Sequence, residues 1–129
     1  MLELLAPAGN LDAVIAAVQN GADAVYMGFG DGFNARRSAD NFTRESFAKA
    51  VRYCHIRGCK VYVTLNTLVG DREMEAAAAL AQQASDAGAD AILVQDLGLA
   101  RVLRDALPDI PLHASTQMSI HNLAGVEAA

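Results

Sequence analysis

The sequence has few cysteines, no long apolar run and no surplus of basic residues. No stretch approaches the roughly 18 apolar residues that a membrane-spanning helix needs, and the start, MLELLAPAGN, lacks the basic segment of a signal peptide. The net charge of −5 argues against a nucleic-acid-binding surface on charge alone. Because 53% of the residues are hydrophobic, the composition is that of a folded domain rather than a disordered chain. We therefore expect a soluble, cytoplasmic protein.

The two cysteines, Cys54 and Cys59, do not form a recognisable redox or metal motif. Their spacing fits neither CxxC nor half of a common zinc site, and His55 has no second ligand pair at metal spacing. The sequence therefore predicts two reduced thiols, one on a helix and one near the following strand, and no metal site in this chain.

Strand signals and helix signals alternate along the chain. The predicted strands are nearly continuous apolar runs, which are typical of parallel strands, and helical periodicity fills the segments between them. The strands are predicted at Leu2–Leu5, Ala24–Met27, Val61–Leu65, Ala91–Val94 and Ile110–Ala114. Side chains that cap helix N-termini predict helix starts at Asn10, Thr43, Asp71, Asp96 and Asn122.

A short motif occurs twice where a predicted helix gives way to a strand. Asn-Gly-Ala-Asp-Ala-Val at residues 20–25 is echoed by Ala-Gly-Ala-Asp-Ala-Ile at 87–92, and Gly58 stands at the corresponding place between them. Each helix ends on glycine, and a short polar turn leads into a buried strand, which is typical of the αβ loops of a βα repeat. We interpret the motif as turn chemistry.

Successive βα units of this kind are compatible with two α/β architectures, both with right-handed crossovers. One is an open parallel sheet such as the flavodoxin-like fold, which length alone favours. The other is a TIM-like (β/α)₈ barrel, which needs roughly 250 residues. Residues 1–129 would then be its N-terminal half, with about five strands, ending inside the fifth βα unit. Both architectures place functional sites at the carboxyl ends of the strands.

Four candidate substrate-binding residues follow the second, third and fourth strands. The loop from Gly28 to Asn41 is the longest, and long loops in compact βα units are frequently functional. It carries Asn34 and Arg36, and an arginine there either binds a carboxylate or phosphate or is a solvated surface residue. Asn66 and Gln95 end the next two strands, where an amide can donate and accept. Capping of the loop is the alternative for Asn66.

The fifth strand leads into a polar cluster, His-Ala-Ser-Thr-Gln at residues 113–117. His113 is a candidate general acid, base or ligand, and Ser115 is a candidate nucleophile if a base lies within reach. No GxSxG motif frames Ser115. The alternative is a polar rim that contacts substrate, to which Gln117 is assigned.

Taken together, these blocks resemble the collagenase-like peptidase family U-32. The resemblance runs along essentially the whole chain, with the blocks in order. It rests on the segments ELLAPAGN (3–10), NGADAVYMG (20–28), NAR (34–36), LNT (65–67) and HASTQ (113–117).

The resemblance implies a TIM-barrel-like domain and so reverses the preference for an open sheet. It also implies that the chain is incomplete, because family members continue through further βα units to a cysteine-rich motif. An iron–sulfur cluster in the full-length protein would use cysteines beyond residue 129. Cys54 and Cys59 do not match that motif, so no cofactor is expected in this chain.

We consider three functional hypotheses, of which the first two follow from the resemblance. The first is a collagenase-like peptidase, since the family name implies proteolysis. The second is a factor for hydroxylation of tRNA or 23S rRNA, because several members serve in hydroxylation of RNA or of ubiquinone precursors. The third is a non-catalytic binding or scaffold half-barrel. The partner is accordingly a peptide or an RNA, and the unpaired edges of half a barrel predict self-association.

Overall fold

The computed structural model describes residues 1–35 and 41–129, so the candidate Arg36 lies outside the described residues. Strands and helices alternate throughout the described chain. The strands are β1 (Leu5–Pro7), β2 (Ala24–Met27), β3 (Lys60–Leu65), β4 (Ala91–Val94) and β5 (Leu112–Ala114). The helices are α1 (Leu11–Gln19), α2 (Arg44–Ile56), α3 (Met74–Asp86), α4 (Leu97–Ala106) and α5 (Leu123–Ala128), with a 3₁₀ turn at Thr116–Met118.

The strands form one parallel sheet in the sequential order β1-β2-β3-β4-β5. In this register Val25 of β2 lies opposite Val61 of β3, and Leu93 of β4 lies opposite His113 of β5. A flavodoxin-like sheet has the order 2-1-3-4-5, so the observed order excludes that alternative. Sequential parallel strands, each followed by a helix, are the arrangement of a (β/α)₈ barrel.

Helices α1 to α4 pack against one face of the sheet. Strand side chains that point to this face are fully buried among helix side chains: Val25 and Val61 pack with Phe47 of α2, and Ile92 packs with Leu99 of α4. Among the described residues, the buried cluster on the opposite face contains strand residues only; its members are Ala24, Tyr62 and Ala91. A doubly wound sheet would carry helices on both faces. We call the face without helices the inner face.

The Gly-Ala-Asp turns tie the helix ends to the neighbouring strand. Asp23 Oδ2 accepts a hydrogen bond from the backbone N–H of Leu4 at 2.8 Å, and Asp90 Oδ2 accepts one from Val61 at 2.7 Å. Gly88 has φ +102°, and a Cβ there would also press on Val51, so the position favours glycine. The interpretation of the motif as turn chemistry is confirmed.

The predicted helix starts are confirmed with one exception. Asp71 does not cap α3, which begins at Met74. The chain first makes a turn in which the N–H of Glu73 donates to the carbonyl of Gly70 at 2.8 Å, and the Glu73 carboxylate accepts from the N–H of Gly70 at 3.0 Å. This turn delays the helix. The capping side chains that accept a backbone N–H as predicted are Asn10, Thr43, Asp96 and Asn122.

The first and last strands differ from their predicted ranges. β1 lies at Leu5–Pro7 rather than Leu2–Leu5, because its ladder with β2 begins where Leu5 meets Ala24. β5 begins at Leu112 rather than Ile110, because the N–H of Ile110 closes a turn onto Leu107 and the following proline has no N–H to donate. An apolar run in the sequence thus predicts the approximate position of a strand. It does not determine the residue at which hydrogen bonding to the neighbouring strand begins.

β1 and β5 form the edges of the described sheet. The expected self-association through these edges stays a prediction. Among the described residues, no helix combines the length and apolar character needed to cross a bilayer.

Candidate functional site

A small cleft opens at the carboxyl ends of β1, β2 and β3. Its volume is about 80 Å³. Backbone from two glycine-containing loops forms part of its wall, and amide, hydroxyl and phenol side chains form the rest. We call it the rim cleft, and its lining residues are Pro7, Ala8, Gly9, Tyr26, Met27, Gly28, Asn34, Asn41, Thr64 and Asn66.

The long loop after β2 is closed at its base by backbone pairing. Phe29 and Phe42 form an isolated parallel bridge, in which Phe42 N–H donates to the Gly28 carbonyl at 3.1 Å and Gly30 N–H donates to the Phe42 carbonyl at 3.0 Å. Both phenylalanines are buried, and the ring of Phe29 packs on that of Phe47 at 4.7 Å between centroids. This apolar anchor brings both ends of the loop to the rim cleft.

Gly28 is where the loop leaves β2, and the surrounding amides leave no room for a side chain. A Cβ at this position would collide with Asn34 Nδ2 and Asn41 Oδ1. These two groups hydrogen bond each other at 3.1 Å, and Asn41 Nδ2 donates to the Gly30 carbonyl at 2.7 Å. Asn34 was predicted as a site residue, whereas Asn41 was not, because its role depends on the folding back of the loop.

Asn66 joins the loop after β2 to the loop after β5. Its Oδ1 accepts a hydrogen bond from the N–H of Ala35 at 3.1 Å, and its Nδ2 donates to Ser115 Oγ at 3.2 Å. One amide therefore uses both its acceptor and its donor to hold two loops that are distant in sequence. The structure brings the predicted residues Asn34 and Asn66 into one cleft and places Ser115 beside them.

Ser115 is buried beneath the rim, where it caps the 3₁₀ turn. Its Oγ accepts a hydrogen bond from the backbone N–H of Gln117 at 3.3 Å. Among the described residues, no hydrogen bond joins Ser115 to His113, and a nucleophilic serine needs a base in reach. The arrangement therefore gives Ser115 a role in holding Asn66 and the turn. The Gln117 side chain is exposed on the turn.

His113 lies half-buried on the inner face, in the row that also contains Leu93 and Thr64. Its imidazole meets the ring of Tyr62 edge to face, with 4.9 Å between centroids. Burial, followed by the hydrogen bond to Glu3, raises the pKa of Tyr62 above its ordinary value, so the phenol is neutral at physiological pH. Sequence reasoning missed Tyr62, although the alternation along β3 places it on the same face as Thr64.

Gln95 lies apart from the rim cleft. It lines a separate groove of about 300 Å³ with residues of the segment that follows β5, among them Met118 and His121. Asp96, the next residue, caps α4 by accepting from the N–H of Leu99 at 2.8 Å.

Cys54 and Cys59 lie at the opposite end of the sheet, where α2 leads into β3. Both are free, buried thiols, as predicted. Burial, helped by the neighbouring Cys59, raises the pKa of Cys54 to about 12, and burial also raises the pKa of Cys59. An iron–sulfur cluster is ordinarily held by four cysteine thiolates, and residues 1–129 contain two cysteines, so this pair alone does not supply a full ligand set. In the described part of the chain, no group of three or more His, Cys, Asp or Glu side chains is placed to hold a metal ion.

The family model described as peptidase family U32 matches residues 9–129. This chain belongs to peptidase family U32. The family resemblance predicted from the sequence blocks is thereby confirmed.

Curated relatives of this U32 chain carry names of two kinds. It is 43% identical to the 23S rRNA 5-hydroxycytidine C2501 synthase of Escherichia coli, over 95% of this chain and 18% of the relative. It is 38% identical to tRNA hydroxylation protein P1 of Bacillus subtilis, over 97% of this chain and 29% of the relative. It is also 35% identical to the collagenase of Porphyromonas gingivalis, over 93% of this chain and 28% of the relative. The U32 chain therefore spans less than a third of the length of each of these relatives.

The fold of this U32 chain is found among solved structures. Phosphonopyruvate hydrolase superimposes with a TM-score of 0.63 and 20% identity, over 98% of this chain and 50% of that one. At this identity the likeness concerns the fold alone. Because the neighbour is a TIM-barrel enzyme, the described βα units correspond to about half of such a barrel, as the family resemblance predicted.

Proposed function

We propose that this chain is part of an RNA hydroxylation protein and that its rim cleft helps to bind a nucleobase of tRNA or ribosomal RNA. The observation that carries the proposal is the wall of the cleft, where the amides of Asn34, Asn41 and Asn66 lie beside the phenol ring of Tyr26. Unstacked RNA bases are bound by stacking on aromatic rings and by hydrogen bonds to their edges. An amide has two N–H donors and two acceptor lone pairs, so an amide that already makes one hydrogen bond of each kind can still bind such an edge.

The named relatives also support this proposal. The relatives at 43% and 38% identity are named for hydroxylation of ribosomal RNA and tRNA. Because the net charge of this chain is −5, we assign it contact with the base and assign the phosphate contacts that dominate RNA affinity to other parts of the protein.

The second candidate is a peptidase, which the relative named collagenase favours at 35% identity. A serine peptidase needs a nucleophile that is hydrogen bonded to a base. Among the described residues, the hydrogen bonds of Ser115 Oγ are with Asn66 and Gln117. We therefore place this candidate second. A non-catalytic scaffold remains the third hypothesis, and no specific contact favours it.

Mass spectrometry of nucleosides from tRNA and ribosomal RNA tests the proposal in a strain that lacks the gene. We expect one hydroxylated nucleoside to disappear and to return when the intact protein is supplied again. Unchanged levels of every hydroxylated nucleoside would overturn the proposal. Cleavage of denatured collagen or casein by the purified intact protein, abolished in Ser115→Ala, would establish the peptidase instead.

The rim cleft itself is tested by complementing that strain with Asn66→Ala in the intact protein. We expect the hydroxylated nucleoside to fall by about tenfold, because the substitution removes an amide that holds two loops and leaves their polar groups without it. Gln83→Ala, on the exposed face of α3, is the matched control and should restore the wild-type level. Equal levels with both variants, at equal protein abundance, would remove the rim cleft from the proposal.

A further inference from the structure

A chain of side-chain contacts on the inner face leads from Glu3 to His113. Glu3 Oε1 accepts a hydrogen bond from the phenol O–H of Tyr62 at 2.7 Å, and Glu3 Oε2 lies 3.5 Å from Lys60 Nζ. The phenol is thus anchored at the end of the sheet opposite the rim cleft. The ring of Tyr62 then reaches the imidazole of His113, with planes at 80° and centroids 4.9 Å apart. Aromatic pairs prefer this T-shaped geometry.

The contact between Tyr62 and His113 crosses an entire strand. Tyr62 belongs to β3 and His113 to β5, and the register sets Tyr62 opposite Ala91 of the intervening β4. Adjacent strands lie about 4.8 Å apart, so the two rings meet across β4 only where the intervening side chain leaves room. Ala91 is fully buried in a cluster with Tyr62, so a larger side chain at this position would press on the ring.

The location of His113 connects this contact to the rim cleft. Two residues further along the chain, Ser115 receives a hydrogen bond from Asn66, which lines the cleft. Barrel interiors are ordinarily filled by branched apolar residues. Here the inner face holds a phenol and an imidazole instead.

We propose that Tyr62 is a positioning residue for His113. Glu3 fixes the phenol, Ala91 leaves room for the contact between the two rings, and the ring of Tyr62 holds the imidazole in one orientation on the inner face. The inference rests on the proposed function only for its activity readout, because the orientation of His113 can be measured without any substrate.

Acylation by diethyl pyrocarbonate, followed by peptide mass spectrometry, measures the accessibility of each histidine in the intact protein. His121 is exposed and serves as the internal reference. In Tyr62→Leu we expect the acylation rate of His113 relative to His121 to rise by about two- to tenfold, as the loss of one aromatic pair allows. Tyr62→Phe keeps the ring and loses the anchor on Glu3, so we expect a smaller rise.

A second variant tests the same geometry without altering either ring. Ala91→Val presses a larger side chain on the ring of Tyr62 and should raise the relative acylation rate of His113 as Tyr62→Leu does. Ala78→Val adds the same two carbons on the helix-covered face and should leave the rate at its wild-type value. If Tyr62→Leu does not fold, the relative acylation rate of His113 in Ala91→Val tests the positioning role by itself.

The outcomes separate this inference from the proposed function. Wild-type relative rates in folded Ala91→Val and Tyr62→Leu proteins would overturn the positioning role. A raised rate together with a loss of the hydroxylated nucleoside supports both proposals. A raised rate with unchanged hydroxylation supports the positioning role and shows that hydroxylation does not depend on the orientation of His113.

Discussion

The two ends of the sheet are built on different plans. At the amino ends of the strands, the connections into β2 and β4 repeat one Gly-Ala-Asp turn, whose aspartate accepts a backbone N–H of the neighbouring chain segment. Asp23 and Asp90 make the same hydrogen bond to Leu4 and Val61, respectively. Because the same turn occurs twice, we infer that the amino ends of the strands contribute mainly to the stability of the fold.

At the carboxyl ends the loops differ in length and are joined by side chains. Asn66 holds the backbone of Ala35 and the hydroxyl of Ser115, and the pair Asn34 and Asn41 closes over Gly28. Such loops can vary without disturbing the sheet, which is why barrel enzymes place their sites at this end. We therefore expect substitutions at the amino ends to lower mainly the free energy of unfolding, and substitutions at the carboxyl ends to lower mainly the activity.

The largest expected effect on stability is at the amino end, in Asp90→Ala. Asp90 Oδ2 accepts from the N–H of Val61 at 2.7 Å and lies 2.8 Å from His55 Nε2. Its loss leaves a strand N–H unpaired, so we expect the free energy of unfolding to fall by about 2–3 kcal/mol. Denaturant unfolding of the intact protein measures it, and Asp90→Asn, which keeps one acceptor, should lose less. If Asp90→Ala also lowered RNA hydroxylation per folded molecule, the division between stability at the amino ends and activity at the carboxyl ends would be wrong.

The counterpart at the carboxyl end is Gly28→Ala. The added Cβ displaces the amides of Asn34 and Asn41, so we expect RNA hydroxylation to fall by about tenfold, in the range that small displacements at a site produce. The free energy of unfolding should change less than in Asp90→Ala. Gly70→Ala adds the same methyl group outside the rim cleft, where the nearest atom is Glu73 Oε2 at 3.4 Å, and it is the steric control. A variant that unfolds as readily as Asp90→Ala would assign Gly28 to stability.

Asp23→Ala sharpens the comparison within the amino end. Asp23 makes the hydrogen bond to Leu4 but is exposed and is not joined by a histidine. We expect a loss of about 1 kcal/mol in the free energy of unfolding, which is smaller than in Asp90→Ala. Equal losses in the two variants would show that the histidine contact adds nothing.

The smallest effect at neutral pH comes from Cys54. Its pKa is raised from 9.0 to about 12 by burial, so the folded state binds its proton more tightly than the unfolded state. The resulting stability is present below pH 9.0 and is lost as the pH rises toward about 12. Unfolding temperatures measured across this range should fall less steeply in Cys54→Ala. Parallel profiles for the two proteins would contradict the assignment.

Much of the fold could be predicted from local patterns. Asn10, Thr43, Asp96 and Asn122 act as caps because a cap depends on a side chain and an N–H three residues away. The prediction that Asp71 caps α3 was wrong because Glu73 forms a turn with Gly70 instead. A capping residue in the sequence does not show which of two competing local hydrogen-bonding patterns will form.

The site was predicted less completely than the fold. The sequence placed Asn34 in the long loop after β2 and Asn66 at the end of β3, and the structure brings both to the rim cleft, whereas their role in binding a substrate stays a prediction. Asn41 and Tyr62 were missed because their partners lie across a folded loop and across an intervening strand. Gln95 also follows a strand, yet it lines a separate groove, since position along a strand does not say which neighbouring loop will lie beside it.

By itself, the amino-acid sequence determined the alternation of strands and helices, the turns between them and the family, since each depends on residues close together in the chain. Only the tertiary structure decided that the strands follow one another in order and that the helices cover one face, which makes the sheet half a barrel rather than an open fold. It also decided which side chains share the rim cleft and that Tyr62 contacts His113 across β4. These contacts depend on the register between strands, which hydrogen bonding across the sheet sets and no local pattern contains.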